Sequence, residues 1–163
     1  MTTLFKAHQV AAAMNRVAAA LKADHGRITE LDQAVGDGDL GVTAVKLAEA
    51  LETAASQTSG GDIGKLIAQT GIALNRAAPS TMGTLMATAL MQAGKAVTGK
   101  EALVAPDLAL LLGAAAEGVQ MRGKAHLGDK TLLDALHPAS NAFAAAANPL
   151  AASDGVEDAG CEV

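Results

Sequence analysis

Apolar residues recur at the period of an α-helix along most of this 163-residue chain, and no segment of any length shows the alternation of a strand. Alanine supplies 39 residues, while the aromatic residues are two Phe and no Trp or Tyr. Ala is the best helix former, whereas aromatic and β-branched residues are enriched in strands. The chain is therefore predicted to be all-α, an antiparallel barrel or bundle of about six amphipathic helices.

Caps and breaks divide the chain into six predicted helices. They cover residues 4–25, about 42–57, Asp62 to about 77, Ser80 or Thr81 to about 97, Pro106 to about 121, and Asp129 or Thr131 to about 147. Gly26 is predicted to end the first helix, and Pro138 to kink or break the last. Residues 1–147 then form one domain, and 148–163 an acidic tail.

Charge and composition exclude several classes of protein. Residues 154–163 hold four acids and no base, so most of the net charge of −5 lies in the tail and the rest is nearly neutral. Without a basic surface or stacking aromatics, we expect no nucleic-acid partner. A single Cys excludes a disulfide framework. No apolar run is long enough to span a membrane and no export signal opens the chain, so we expect a cytoplasmic protein.

The densest cluster of chemistry-bearing residues is a Gly-rich acidic segment at 30–41. Asp32, Asp37 and Asp39 fall within eight residues there, and such close like charges repel one another unless a cation lies between them. Clusters of carboxylates alone suit hard ions such as Mg²⁺. A solvated acidic turn remains the alternative. The spacing Gly36-x-Gly38-x-x-Gly41 matches a dinucleotide fingerprint, but no strand precedes it.

Two further segments offer groups that bind anions. Ser80 and Thr81 follow Ala78-Pro79 at a predicted helix start, where free backbone amides and hydroxyls bind phosphate; a plain helix cap is the alternative. The segment 118–125 matches a phosphate-binding loop only up to Lys124, since Ala125 stands where Ser or Thr would reach Mg²⁺. Arg122 and Lys124 are either solvated charges or phosphate partners.

Two motifs together resemble the nucleotide-binding L subunit of dihydroxyacetone kinases. Leu31-Asp32-x4-Asp37-Gly-Asp39-Leu-Gly41 is similar to its metal-binding signature, and 123–139 (GKAHLGDKTLLDALHPA) to its second signature. The loop 79–84 lies where the family has a phosphate loop. The similarity extends from about residue 5 to 147. Family members continue for several tens of residues beyond the second signature, so we expect a C-terminally shortened member.

The resemblance implies a barrel of antiparallel helices with a nucleotide, ATP or ADP, held by loops at one end. Asp32, Asp37 and Asp39 would hold Mg²⁺. The expected nucleotide contacts are Leu40, Gly41, Thr43, Ser80, Thr81, Gly123 and Leu132. No catalytic side chain is expected on this chain, because phosphoryl transfer needs mainly positioning and charge neutralisation.

The resemblance also implies a partner, since in the family a separate K subunit holds the keto sugar. A phosphotransferase-system donor protein and a homodimer are left open as further partners. Two positions depart from the family: Leu40 replaces a His, and Ala-Pro-Ser-Thr replaces a Gly-Gly loop. The expected function is phosphoryl transfer to dihydroxyacetone or a related short keto sugar. The alternatives are a regulatory helical module without catalysis and a Mg²⁺-dependent phosphatase.

Overall fold

Six helices make up almost all of the structure, a computed structural model that describes residues 3–147. Their bounds are α1 Ala7–Gln33, α2 Leu40–Ser56, α3 Ile63–Ala77, α4 Thr81–Ala96, α5 Ala105–Gly123 and α6 Leu132–Ala147. Two short strands, β1 Phe5–Lys6 and β2 Ala102–Leu103, pair antiparallel. The all-α prediction is confirmed. The predicted acidic tail, residues 148–163, lies outside the described residues.

Each helix packs against the next one along the chain, from α1 through to α6. Because short loops join these packed neighbours, the helices alternate in direction. The α1–α2, α3–α4 and α5–α6 loops therefore lie at one end of the bundle, which we call the loop end. Within residues 3–147, α1 and α6 make no comparable contact, so the ring of helices is open between them.

The inner faces of the helices surround an apolar cavity of about 820 Å³. Side chains from five helices and both strands line it, and Gln9 and Thr43 are the polar ones among the described residues. The surrounding core is built largely from Ala, Leu, Ile and Val, with Ile63, Leu74, Val97, Leu103 and Leu133 fully buried. Removal of this apolar surface from water is the main force that holds the helices together.

Glycine lets two helices approach closely where α3 crosses α4. A Cβ atom on Gly94 would lie 2.5 Å from the carbonyl oxygen of Gly64, and one on Gly64 would lie 2.6 Å from that of Gly94. Real Cβ atoms do not come so near to backbone oxygen, so any side chain at either position pushes the helices apart. The small residues of the sequence are thus part of the packing.

The opposite end of the bundle is fixed by the strand pair and by an ion pair that involves a buried aspartate. Phe5 pairs with Leu103, which ties the start of α1 to the start of α5. Asp107, whose side chain is 8% exposed, lies 2.6 Å from the Lys100 ammonium group. Its other oxygen accepts a hydrogen bond from the Val104 amide at 3.1 Å, which caps α5. The sequence analysis predicted neither strand.

The predicted end of the first helix at Gly26 is wrong, and so is a break at Pro138, whereas a kink at Pro138 stays a prediction. Helix α1 continues through Gly26 to Gln33, because Leu21 and Ile28, one on each side of Gly26, both line the apolar cavity. The helix propensity lost at one glycine, about 1 kcal/mol, is small beside that burial. Helix α6 likewise continues past Pro138 to Ala147. Within the described residues, no helix is both long enough and apolar enough to cross a membrane.

Candidate functional site

The three predicted metal ligands converge at the loop end. One carboxylate oxygen from each of Asp32, Asp37 and Asp39 lies within 4.8 Å of the others. Oxygens on opposite sides of a bound Mg²⁺ lie about 4 Å apart, twice the Mg–O distance. Asp37 and Asp39 are exposed and Asp32 is half-buried, so the cluster is open to solvent. The 4.8 Å that bounds the separation of the three oxygens is somewhat more than this Mg²⁺-site distance, so small side-chain rotations would bring these hard donors onto one divalent cation.

Helix geometry and one glycine shape this acidic loop. Asp32 lies in the last turn of α1. Its side chain accepts a hydrogen bond at 3.0 Å from the amide of Leu40, the first residue of α2. Its carbonyl oxygen accepts from Val35 and Gly36. Gly38 has a φ of +79°, a backbone conformation that glycine adopts without strain. The loop therefore turns back on itself between Asp37 and Asp39 and keeps both carboxylates near Asp32.

The first turn of α2 lies next to these carboxylates, and Leu40 and Thr43 in it face inward, whereas Val42 is exposed. Gly41 is buried, and a Cβ atom there would lie 2.6 Å from the His25 carbonyl oxygen and against the Thr29 hydroxyl. Leu40 lines the apolar cavity, as does Thr43, which is 6% exposed. Thr43 is thus on the interior face of α2. The backbone at 40–41 is the part of this turn that adjoins the carboxylates.

A second, more polar cavity of about 680 Å³ lies between the start of α4 and the end of α5. It brings together three of the predicted nucleotide contacts, Ser80, Thr81 and Gly123. Three more polar residues line it that no motif had marked as nucleotide contacts: Asn75, Thr84 and Arg122, the last left open between a solvated charge and a phosphate partner. Their signal was weak, because a single Asn, Thr or Arg on a helix is ordinary surface composition.

Ser80 is the N-cap of α4, as predicted. Its hydroxyl accepts a hydrogen bond from the Gly83 amide at 3.1 Å. Gly83 must be a glycine, since a Cβ atom there would collide with the Ala78 carbonyl oxygen. The cap leaves amides of the first turn facing the polar cavity, at the positive end of the helix dipole. This helix start has the electrostatics of an anion site.

The α5–α6 loop, residues 124–131, joins Gly123 to Leu132, another predicted nucleotide contact. Two carboxylates fix it: Asp129 accepts from the His126 amide at 2.8 Å, and Asp134 accepts from the Gly128 and Thr131 amides at 2.6 and 2.7 Å. These amides lower the pKa of Asp134. Leu132 itself is half-buried against the core.

The loop end thus carries groups of opposite charge. The acidic loop supplies three carboxylates. The polar cavity has the α4 N-terminus and Arg122 in its lining. Large apolar side chains also stand exposed around the acidic loop: Leu31, Val42 and Val35, the last 91% exposed. Such side chains next to a polar site are typical of a surface that meets another protein.

The fold and its loop end define an all-α protein whose candidate functional groups lie at helix ends and in the loops between helices. The family model described as the DAK2 domain matches residues 34–161 of the chain. The chain belongs to the DAK2 domain family, which confirms the resemblance stated from the motifs.

Two curated relatives extend the comparison. The chain is 32% identical over 116 residues to the ADP-binding subunit DhaL of PEP-dependent dihydroxyacetone kinase 1 from Listeria innocua, an alignment that covers 71% of this chain and 58% of the relative. It is 30% identical over 145 residues to triokinase/FMN cyclase from Mus musculus, covering 86% of this chain and 24% of the relative. The chain therefore spans little more than half of the first relative and a quarter of the second.

Proposed function

We propose that this chain is the nucleotide-binding subunit of a dihydroxyacetone-type kinase and binds ADP or ATP together with Mg²⁺ at the loop end. The observation that carries the proposal is the convergence of Asp32, Asp37 and Asp39 within 4.8 Å at the end where α4 begins. The Listeria innocua relative, an ADP-binding kinase subunit, supports the choice of ligand.

In this proposal, different residues bind the metal and the phosphates. The three carboxylates repel a polyphosphate unless cations bridge the two, so metal and nucleotide are expected to bind together. Asp32, Asp37 and Asp39 would hold Mg²⁺, which when bound would neutralise phosphate charge. Ser80 and Thr81, with the free amides of α4, donate hydrogen bonds to the phosphates. Because Gly41 has no side chain, the nucleotide can approach the backbone closely there. Gly123 and Leu132 border the base.

The sugar substrate requires a partner in this proposal. A K-type subunit would hold dihydroxyacetone or a related keto sugar and present its hydroxyl group to the terminal phosphoryl group. The exposed Leu31, Val35 and Val42 around the acidic loop give such a partner an apolar surface. The PEP-dependent relative favours a phosphotransferase-system donor over free ATP. A cytoplasmic location and a homodimer stay predictions from the sequence.

Titration calorimetry with ADP tests the proposal directly. Wild-type protein should bind ADP with excess Mg²⁺ present and lose that affinity in EDTA. Asp37→Asn should remove the Mg²⁺-dependent binding, while Asp24→Asn, a matched change on the exposed surface of α1, should bind as wild type. If folded wild-type protein binds no ADP at millimolar concentration with Mg²⁺, the proposed ligand is wrong.

A regulatory module without catalysis is the second candidate, and the exposed apolar residues around the acidic loop favour it equally. Mixing the chain with a K-type subunit, dihydroxyacetone and either ATP or a phosphotransferase donor system separates the two. Sugar phosphorylation that needs both subunits supports the kinase. Complex formation without turnover supports the regulatory module. ATP consumption without any sugar would instead indicate a phosphatase.

A further inference from the structure

Asp134 makes more contacts than the capping of a helix requires. At the start of α6, Thr131 is the N-cap: its hydroxyl accepts a hydrogen bond from the Leu133 amide at 3.2 Å. Asp134 reaches back to the Thr131 amide at 2.7 Å, which completes an ordinary capping box. Its other carboxylate oxygen accepts from the Gly128 amide at 2.6 Å. That second bond lies outside the helix and serves the loop alone.

The loop needs such support, because its backbone is locally unfavourable. Lys124 and Lys130 have φ values of 56° and 59°, in the left-handed region that L side chains rarely adopt, and Gly128 has a φ of 100°. A loop in this conformation persists when surrounding contacts determine it. The bonds from Asp134 fix Gly128 and Thr131, and Asp129 fixes the His126 amide at 2.8 Å. Asp134 links the middle of the loop to α6.

The two ends of this loop are the residues assigned to the nucleotide. Gly123 lines the polar cavity beside Ser80 and Thr81, and a Cβ atom on Gly123 would lie 3.3 Å from Leu85 of α4. Leu132 begins α6 and packs against the core. The loop leaves α5 directly after Gly123, so its path bears on the cavity at the Gly123 side.

We propose that Asp134 is a positioning residue for nucleotide recognition: by holding the Gly128 and Thr131 amides, it fixes the α5–α6 loop that borders the base. This inference rests on the proposed function. It assigns Asp134 no contact with the nucleotide. It predicts that recognition of the nucleoside, rather than of the phosphates, depends on Asp134.

Mg-ADP and Mg-pyrophosphate, titrated in parallel by calorimetry, test the proposal. Asp134→Asn loses one of two strong acceptors, so ADP affinity should fall by roughly tenfold while pyrophosphate affinity stays unchanged. Asp62→Asn is the matched control: Asp62 caps α3 at the opposite end by accepting from the Lys65 amide at 3.0 Å. This control should lose similar stability and keep both affinities.

A second variant covers a failure of Asp134→Asn to fold. Asp134→Glu keeps a carboxylate at the position that capping boxes favour, but its longer side chain displaces the oxygen that meets Gly128. It should keep the thermal stability of wild type and still weaken ADP selectively. Equal affinity for ADP in wild type and both variants, or equal loss for ADP and pyrophosphate, overturns the positioning role. Absence of ADP binding by folded wild type instead overturns the proposed function, and this role with it.

Discussion

The side chain of Asp32 accepts a hydrogen bond from the Leu40 amide at 3.0 Å, so the last turn of α1 caps the first turn of α2. One residue therefore has two tasks: it holds the acidic loop closed, and it contributes an oxygen to the carboxylate cluster. Asp37 and Asp39 belong to the loop alone and are exposed. Stability and metal binding can consequently be separated by choosing which aspartate to change.

Asp32→Ala and Asp37→Ala are predicted to differ in stability but not in binding. Asp32→Ala loses the cap on α2 and should lower the free energy of unfolding by about 1 kcal/mol in the absence of ligand. Asp37→Ala should leave it nearly unchanged, since its one contact is a long 3.4 Å bond from the Asp39 amide. Both should abolish the Mg²⁺-dependent stabilisation by ADP. Denaturant unfolding with and without Mg-ADP measures this, and a ligand response that survives in either variant would contradict the assignment.

Substitutions at Ser80 separate the effect of the capping hydrogen bond from the effect of charge at the expected phosphate position. Ser80→Asp keeps an N-cap acceptor for the Gly83 amide, so the thermal midpoint should stay close to that of wild type. It places a negative charge where phosphate is expected, so ADP affinity should fall by at least tenfold. Ser80→Ala should do the reverse. It should lower the free energy of unfolding by about 1 kcal/mol and weaken ADP binding less than Ser80→Asp does. Undiminished ADP binding by the folded Ser80→Asp protein would remove the α4 start from the site.

Two glycines on helices should respond to alanine in opposite directions. Gly94→Ala brings a methyl group to 2.5 Å from the Gly64 carbonyl oxygen and should destabilise the protein by about 1–3 kcal/mol. Gly113→Ala meets only the Ser140 hydroxyl at 3.9 Å and should stabilise α5 by about 1 kcal/mol. Chemical denaturation of both variants against wild type gives the comparison. Similar effects of the two changes would mean that α3 and α4 do not approach as closely as described.

Acid should weaken the fold through carboxylates that are bonded only in the folded state. Lys100, followed by the Val104 amide, holds the pKa of Asp107 below its ordinary 3.8. A carboxyl group whose pKa is lower when folded stabilises the protein above its unfolded pKa, and that stabilisation is lost as pH falls through the folded pKa. Asp107→Asn should therefore cost about 1–3 kcal/mol at pH 6 and progressively less below pH 3.8.

Unfolding curves of wild type and Asp107→Asn between pH 6 and pH 2.5 check this, as a difference that shrinks towards acid. A difference that stays constant with pH would show that the carboxylate charge is not what stabilises the start of α5. The same direction applies to Asp62 and Asp134, whose pKa values are lowered chiefly by backbone amides of Lys65 and Gly128.

The sequence predicted the helices well because periodicity and caps are local. Asp62 and Ser80 cap α3 and α4 where their residue types indicated, and the three aspartates meet as their spacing suggested. The predictions that failed concern features that depend on contacts between residues far apart in the sequence. Gly26 ends a helix only if nothing beyond it is buried, and Ile28 is drawn into the cavity. The pairing of Phe5 with Leu103 joins residues almost a hundred positions apart.

The inward direction of Thr43 and the double role of Asp134 were also beyond the sequence. The family resemblance implied Thr43 as a nucleotide contact, which stays a prediction, but the fold is needed to show that its side chain is 6% exposed and lines the apolar cavity. In the sequence, Asp134 shows only the pattern of an acidic residue at the third position of a capping box. Only the fold of the loop reveals its second bond, to the Gly128 amide.

The central claim is that the acidic loop and the α4 start bind one metal–nucleotide ligand together. Paramagnetic Mn²⁺ in place of Mg²⁺ tests it most directly, because the ion broadens amide resonances near it in a ¹H–¹⁵N spectrum. Mn²⁺ with ADP should broaden residues 37–41 together with residues 80–84, and the Asp37→Asn variant should show neither effect. Broadening at the acidic loop without any at 80–84, or no broadening at either, would contradict the account.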